Sequence, residues 1–286
     1  MDDALGWLDE QNGDDPFFLA IHLFDPHDPY APPAPYDTMW GDPSRNDSVW
    51  IFTPEGAIAD PEQNRHLKDR YDGELAWTDS QMSRLLAGLR SSGMAENTLV
   101  IVTADHGEEF LEHGYGGHGR TLFEEIVHIP LIMSGYGVPR GEVRDCPAAQ
   151  MDILPTALDI VDVEHPDELR GIDLLSGSVP EIRAIPASGV NTGPPFQMAS
   201  VTRDSFKTIW YPESDTFELY DLRNDPDELD PISPGEVRRE RVLSYWSTPR
   251  AYPPRPVEGS HIGPAAGSGL FLGEKPVMFP LSRKKT

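Results

Sequence analysis

Residues 99–133 constrain this chain more than any other stretch. They open with Leu99-Val100-Ile101-Val102-Thr103, a β-branched apolar run that predicts a strand buried on both faces. Asp105, His106 and Gly107 follow where that strand ends. In open parallel sheets the ligand crevice lies outside the carboxyl ends of the strands, so an acid and an imidazole placed there are candidates for chemistry. His113 and His118 come next, set among Gly114, Gly116, Gly117 and Gly119, and Ile129 to Met133 returns the chain to the sheet. A glycine-rich loop lets backbone approach a ligand closely and frees the imidazoles from helical constraint. The bland alternative is a turn followed by solvated histidines, and a tripeptide such as Asp-His-Gly alone does not exclude it.

The flanking sequence alternates helix and strand. Ala4, Leu5, Trp7 and Leu8 have helical spacing. Phe17 to Phe24 reads as a buried strand with His22 as a hydrogen-bonded core histidine, and its exit carries Asp25-Pro26-His27-Asp28-Pro29-Tyr30. Residues 31–60 form a loop rich in proline and aromatics. Asp60, Pro61 and Gln63 suit a capped helix start. Leu67, Tyr71, Leu75, Met82, Leu85 and Leu89 then mark the apolar face of a long helix stopping near Gly93, with Trp77 and Met82 as packing residues. Met151 to Val161 is a helix begun by Asp152. Residues 198–222 carry short β-rich runs divided by turn residues, in which Arg203 and Lys207 take solvated strand positions. Glu236 to Tyr245 suits one more helix, and the proline- and glycine-rich remainder reads as a loosely ordered tail.

Several strings together resemble one family. TADHGEEFLEHG, continued by GHGRTLFEEIVHIPLI, is similar to the metal and substrate segment of the sulfatases, within the alkaline phosphatase superfamily. PFFLAIHLFDPHDPYAPPAPY, MDILPTALDIV and ELYDLRNDPDEL resemble further blocks in family order, so the likeness covers residues 1–230. It implies an α/β fold: an alkaline-phosphatase-like α/β/α sandwich with a mostly parallel sheet, incomplete at the N-terminus, plus a small C-terminal antiparallel subdomain. The expected divisions are 1–180 for the catalytic remainder, 181–232 for the subdomain and 233–286 for helix and tail. The implied activity is metal-assisted hydrolysis of small-molecule or carbohydrate sulfate esters. By position, Asp105 and, more weakly, His106 become metal ligands, calcium being favoured over magnesium, manganese or zinc because oxygen donors suit a hard cation. His27 and His118 become the sulfate-contacting and catalytic residues, with His118 as imidazolium able to neutralise charge or protonate a leaving group. His113 takes an orienting or structural role.

The departures from the family pattern matter equally. Pro43-Ser44-Arg45 matches the end of the CxPSR signature whose cysteine becomes the formylglycine nucleophile, but Gly41 stands at the cysteine position. Cys146, the only cysteine, is followed by Pro147-Ala148-Ala149-Gln150 and lacks that signature too. The family's early Asp-Asp pair is also absent. The resemblance therefore implies a truncated sulfatase, inactive alone, that needs a missing N-terminal segment or a partner chain. Two alternatives remain: a phosphodiester or phosphonate monoester hydrolase of the same superfamily, or a non-catalytic pseudoenzyme or split half.

Composition removes other classes. With 48 acidic against 23 basic residues the formal charge is -25, spread over all 286 positions, which disfavours nucleic acid and anionic membrane as partners. No apolar run is long enough to span a membrane and no signal peptide is visible, leaving cytoplasm as the default expectation. Such a surface suits a halophilic setting, where salt screens self-repulsion. Concentrated potassium chloride is accordingly expected to preserve or raise the thermal midpoint followed by circular dichroism; unfolding in concentrated salt alone would contradict it.

Overall fold

The computed structural model describes residues 1–11, 13, 15–45, 52–53, 56–57, 61–166, 169–177, 179–180, 182–190 and 197–232. They belong to two compact units, one ending at Thr98 and the other starting at Leu99. The helix expected over Glu236 to Tyr245 and the tail from Ser247 lie outside the described residues, as does the capping acid Asp60.

In the first unit, helix α1 (Asp2–Asp9) carries Asp2 and Asp3 in its first turn, where acidic groups complement the helix dipole. Strands β1 (Phe52–Thr53) and β2 (Gly56–Ala57) make a short antiparallel pair. Helix α2 (Pro61–Ser91) is 31 residues long, and Arg84 donates to Asp2 Oδ1 at 2.6 Å, tying it to α1. Its buried positions include His66, Arg70, Gly73, Glu74 and Gln81 beside Leu67 and Leu89, while Leu75 is exposed, so the covered face is more polar than the leucine spacing predicts. Loop 31–38 explains this. A loop packed on a helix brings backbone groups that need partners. Ala31 N–H donates to Glu74 Oε1 at 2.6 Å, and Arg70 donates to the Asp37 carbonyl at 2.9 Å. A Cβ on Gly73 would stand 2.8 Å from the Tyr36 carbonyl oxygen, so only glycine admits this approach.

Residues 17–24 correct a second expectation. They form no hydrogen-bonded strand, and exposure alternates: Phe17, Leu19, Ile21 and Leu23 are half-buried, while Phe18, Ala20, His22 and Phe24 are exposed. Only one side of this segment is covered, so His22 is a solvated residue rather than a core histidine.

The second unit begins with β3 (Leu99–Thr103), followed by the hairpin β4 (Glu109–Phe110) and β5 (Gly116–Gly117), the single-turn helix α3 (Glu124–Val127) and β6 (Leu131–Gly135). Strand β3 pairs with β6 in antiparallel register, Leu99 opposite Gly135 and Thr103 opposite Leu131. It is half-buried rather than buried on both faces. Among the described residues every ladder is antiparallel, so the expected mostly parallel sheet does not occur in them. A parallel neighbour needs a crossover of a dozen or more residues, usually a helix. Residues 104–130 instead spend their length on a hairpin and one helical turn.

Asp152 precedes α4 (Ile153–Ile160), yet its carboxylate makes no cap to that helix. It accepts the Ala149 and Ile172 N–H groups at 2.7 and 3.0 Å and both terminal nitrogens of Arg183 at 2.9 Å, which satisfies a fully buried acid. Strands β7 (Ala184–Val190), β8 (Gln197–Arg203), β9 (Phe206–Tyr211) and β10 (Thr216–Asp221) then form an antiparallel meander in that order. Ala199 and Val201 pack with Trp210 and Phe217, while Ile209 and Tyr220 pack with Phe123 from before α3. Arg203 is exposed, as a solvated strand position should be, but Lys207 is completely buried. Its ammonium lies 2.9 Å from Glu124 Oε1 and 3.0 Å from Glu228 Oε1, and this pairing is why a lysine can leave water there.

Two outcomes test this packing. Burial pushes the Glu74 carboxyl up to about 7 against the opposing Ala31 N–H. The folded state therefore holds a proton that the unfolded state releases near the ordinary glutamate value, and stability falls as pH rises from about 4.5 to about 7. Urea titrations should show Glu74→Gln falling less steeply than wild type across that window, and ahead of it at the upper end by on the order of 2–3 kcal/mol, with the buried Glu109 supplying the slope that remains. Separately, Lys207→Met leaves the buried Glu228 charge unpaired, with an expected loss of about 3–5 kcal/mol, much of it restored by adding Glu228→Leu.

Candidate functional site

The site is assembled by the exit of β3 and the hairpin behind it. Gly107 donates its N–H to the Ile126 carbonyl at 2.8 Å, and a Cβ on it would stand 1.9 Å from the Glu125 carbonyl oxygen. Glycine is thus required for the strand exit to meet the segment around α3. Opposite residues in the hairpin are Glu109 and Gly117, which brings the preceding Glu108 and following His118 together. Positive φ at Gly114, Gly117 and Gly119, near 80°, turns the loop where side chains with a Cβ are strained.

His106 and His118 stack with ring centroids 4.1 Å apart and planes inclined by 29°. His118 Nδ1 lies 3.0 Å from Glu108 Oε1, so that carboxylate accepts the Nδ1–H and fixes the ring. His106 Nδ1 lies 2.8 Å from the Gly107 carbonyl and donates to it, which leaves Nε2 as the basic nitrogen. That Nε2 is 3.7 Å from Asp105 Oδ2. The Asp105 side chain is 78% exposed and also accepts the His106 N–H at 3.1 Å. Gln150 donates to the carbonyls of Ala104 and Asp105 at 2.9 and 3.0 Å, holding this turn in place.

The pair Asp105 and His106 fits a divalent cation in chemistry and in span. Bonds of about 2.0–2.4 Å to an imidazole nitrogen and a carboxylate oxygen reach across such a gap. The carbonyl behind His106 Nδ1 is the usual support of a ligating histidine. Two donors do not complete a coordination shell, so a cation held here would need further ligands from beyond this turn.

His113 sits deeper. Its ring stacks on Phe123 with centroids 3.6 Å apart, Nδ1 is 2.5 Å from Glu125 Oε1, and Nε2 is 3.2 Å from the Glu228 carbonyl. Burial alone would depress its pKa, but the hydrogen bond and charge of Glu125, with the Glu228 carbonyl, together raise it. Beside it Glu109 is fully buried and accepts the Thr121 hydroxyl at 2.8 Å. Burial pushes its carboxyl up to about 7 despite that bond, and Glu125 adds to the rise.

The structure therefore brings Asp105, His106 and His118 into one turn-and-hairpin assembly. His27 belongs to the first unit, where it stacks on Phe24 at 4.6 Å and its Nδ1 lies 2.8 Å from the Asp28 carbonyl. Sequence reasoning missed Glu108, Glu109 and Glu125. The adjacent Glu108-Glu109 pair at a strand start was a usable signal, because neighbouring strand residues point to opposite faces. Glu125, sixteen positions on from Glu109 (125 − 109), gave none.

Comparisons with known proteins bear on the family and the fold. A family described as Sulfatase matches residues 1–163. An uncharacterised sulfatase of Escherichia coli, YidJ, is 28% identical over 261 residues, covering 81% of this chain and 51% of the relative. Among solved structures, phosphonate monoester hydrolase of Agrobacterium radiobacter superposes with a TM-score of 0.67 at 22% identity, covering 84% of this chain and 57% of that one. BT4656, solved in complex with its substrate D-glucosamine-2-N,6-O-disulfate, gives a TM-score of 0.52 at 23% identity, covering 64% and 39%. The chain spans about half the length of the curated relatives it matches. These structural likenesses establish an alkaline-phosphatase-like fold of mixed helices and sheets, and the sequence match over more than half its length shows that the chain belongs to the sulfatase family.

Proposed function

We propose that this chain supplies the cation-holding and leaving-group side of a sulfuric ester hydrolase, and that it requires a nucleophile from outside residues 1–286. The observation that carries this reading is the stacked His106–His118 pair beside Asp105 at the end of β3. Asp105 and His106 Nε2 would hold the divalent cation, calcium by preference, whose charge polarises the ester oxygens when bound. His118, anchored through Nδ1 by Glu108, acts through Nε2: as imidazolium it binds a sulfate oxygen and then delivers its proton to the departing alkoxide or phenoxide. A carbohydrate sulfate is the favoured substrate class, by analogy with the disulfated sugar bound by BT4656.

No cysteine within 1–286 stands in the CxPSR context that yields a formylglycine. Gly41 occupies the one position ahead of a Pro-Ser-Arg, and Cys146 lacks that context. A cysteine-derived formylglycine would therefore be contributed by a missing N-terminal segment or a partner chain.

A second reading rests on the TM-score of 0.67 to a phosphonate monoester hydrolase. The same cation and imidazole pair would stabilise a phosphonate or phosphodiester equally, since both are tetrahedral anions. Parallel assays on sulfate, phosphate and phosphonate esters of one phenol, run on the chain joined to whatever its upstream coding DNA encodes, separate the two.

Two outcomes are expected for the isolated chain. Sulfate titrated into it should shift the side-chain nitrogen resonances of His106 and His118, and His118→Ala should weaken that binding at least tenfold. Hydrolysis of an aryl sulfate should be absent with or without calcium; metal-dependent turnover by residues 1–286 alone would remove the requirement for an external nucleophile.

A further inference from the structure

A second group of donors in the Leu99-onward unit shares no residue with Asp105 and His106. Glu109, His113 and Glu125 each present one ligand atom, all within 4.8 Å of one another. Glu109 is 0% exposed, and although Oε2 accepts the Thr121 hydroxyl, Oε1 has no hydrogen-bond partner. A buried carboxylate oxygen left unsatisfied is costly, and this one belongs to the donor cluster.

His113 makes the same point from its own side. Its Nε2–H donates to the Glu228 carbonyl at 3.2 Å, so in the neutral ring Nδ1 carries a lone pair. That lone pair faces Glu125 Oε1 at 2.5 Å. Two lone pairs hold such a contact only with a cation between them. A proton satisfies that pair but leaves Glu109 Oε1 alone, whereas a metal ion engages all three. A ring nitrogen on the metal with the opposite N–H on a backbone carbonyl is also how ligating histidines are usually held.

We propose that Glu109, His113 and Glu125 form a binding site for a first-row divalent transition ion of the zinc type, fastening the β4–β5 hairpin to α3. One imidazole with two carboxylates suits zinc, cobalt or manganese, while calcium takes six to eight oxygens. The two carboxylates balance the charge of the ion. In a tetrahedral shell with bonds of about 2.05 Å the donors stand about 3.3 Å apart, so the His113–Glu125 contact opens by a fraction of an ångström on binding.

Cobalt(II) added to the metal-free full chain tests this, read by its visible d–d absorption and by displacement with zinc. One equivalent should give the band in wild type and equally in Asp105→Asn, which disables the other donor pair. Glu109→Gln, which keeps the side-chain shape and an oxygen for Thr121, should weaken cobalt binding at least tenfold. Glu125→Gln provides the same readout should Glu109→Gln fail to fold by circular dichroism. Absence of a band in wild type, loss of it in Asp105→Asn, or its retention at full affinity in the folded glutamine variants would each overturn the assignment.

Discussion

The close approach of Gly107 to the segment at Glu125 and Ile126 is the constraint on which the second unit depends. One N–H···O bond of 2.8 Å and a backbone contact that excludes any Cβ lock the exit of β3 onto the turn of α3. Residues 108–123 must then leave and return within that closed loop, and the short β4–β5 hairpin is how they do so. Its pairing puts Glu108 beside His118 and leaves Glu109 turned into the interior with Thr121. Two neighbouring glutamates thereby acquire opposite tasks: one steadies a half-exposed imidazole, the other completes a buried cluster.

Electrostatics sharpen that division. A chain of charge -25 repels a sulfate ester at long range. Positive charge at the proposed site would have to be local, from imidazoles and a bound cation. Salt that screens the distant acidic surface leaves contacts of about 3 Å nearly intact. An acidic surface and the proposed anionic substrate would therefore be compatible under the ionic conditions that such a surface favours.

Much of the candidate site was legible in the sequence because its parts are contiguous. Asp105, His106 and His118 fall in a span of fourteen positions (105 to 118) directly after a strongly apolar run, and glycines mark the turns between them. The fold was legible where periodicity has one meaning, as in α2 and in the strands from β8 to β10. It was not legible where a local pattern leaves the partner undefined. The run Leu99 to Thr103 announces a strand but not the direction of its neighbour, and β6 proved antiparallel. Lys207 reads as a solvated strand lysine until Glu228, twenty-one residues later, and Glu124, eighty-three earlier, are seen to close around it. Leu75 likewise fits the helical stripe on α2, yet loop 31–38 calls for polar partners on that face and takes Arg70 and Glu74 instead.

The burial of Lys207 also changes how the protein presents itself to chemistry. The sequence holds five lysines, at 68, 207, 275, 284 and 285, and the one on β9 is sealed from solvent by its own salt bridges. An acylating reagent in water meets that amine only in molecules whose meander has come apart. Labelling at position 207, mapped by mass spectrometry, is thus a built-in clock for the opening of the antiparallel sheet, reporting each excursion without any introduced probe.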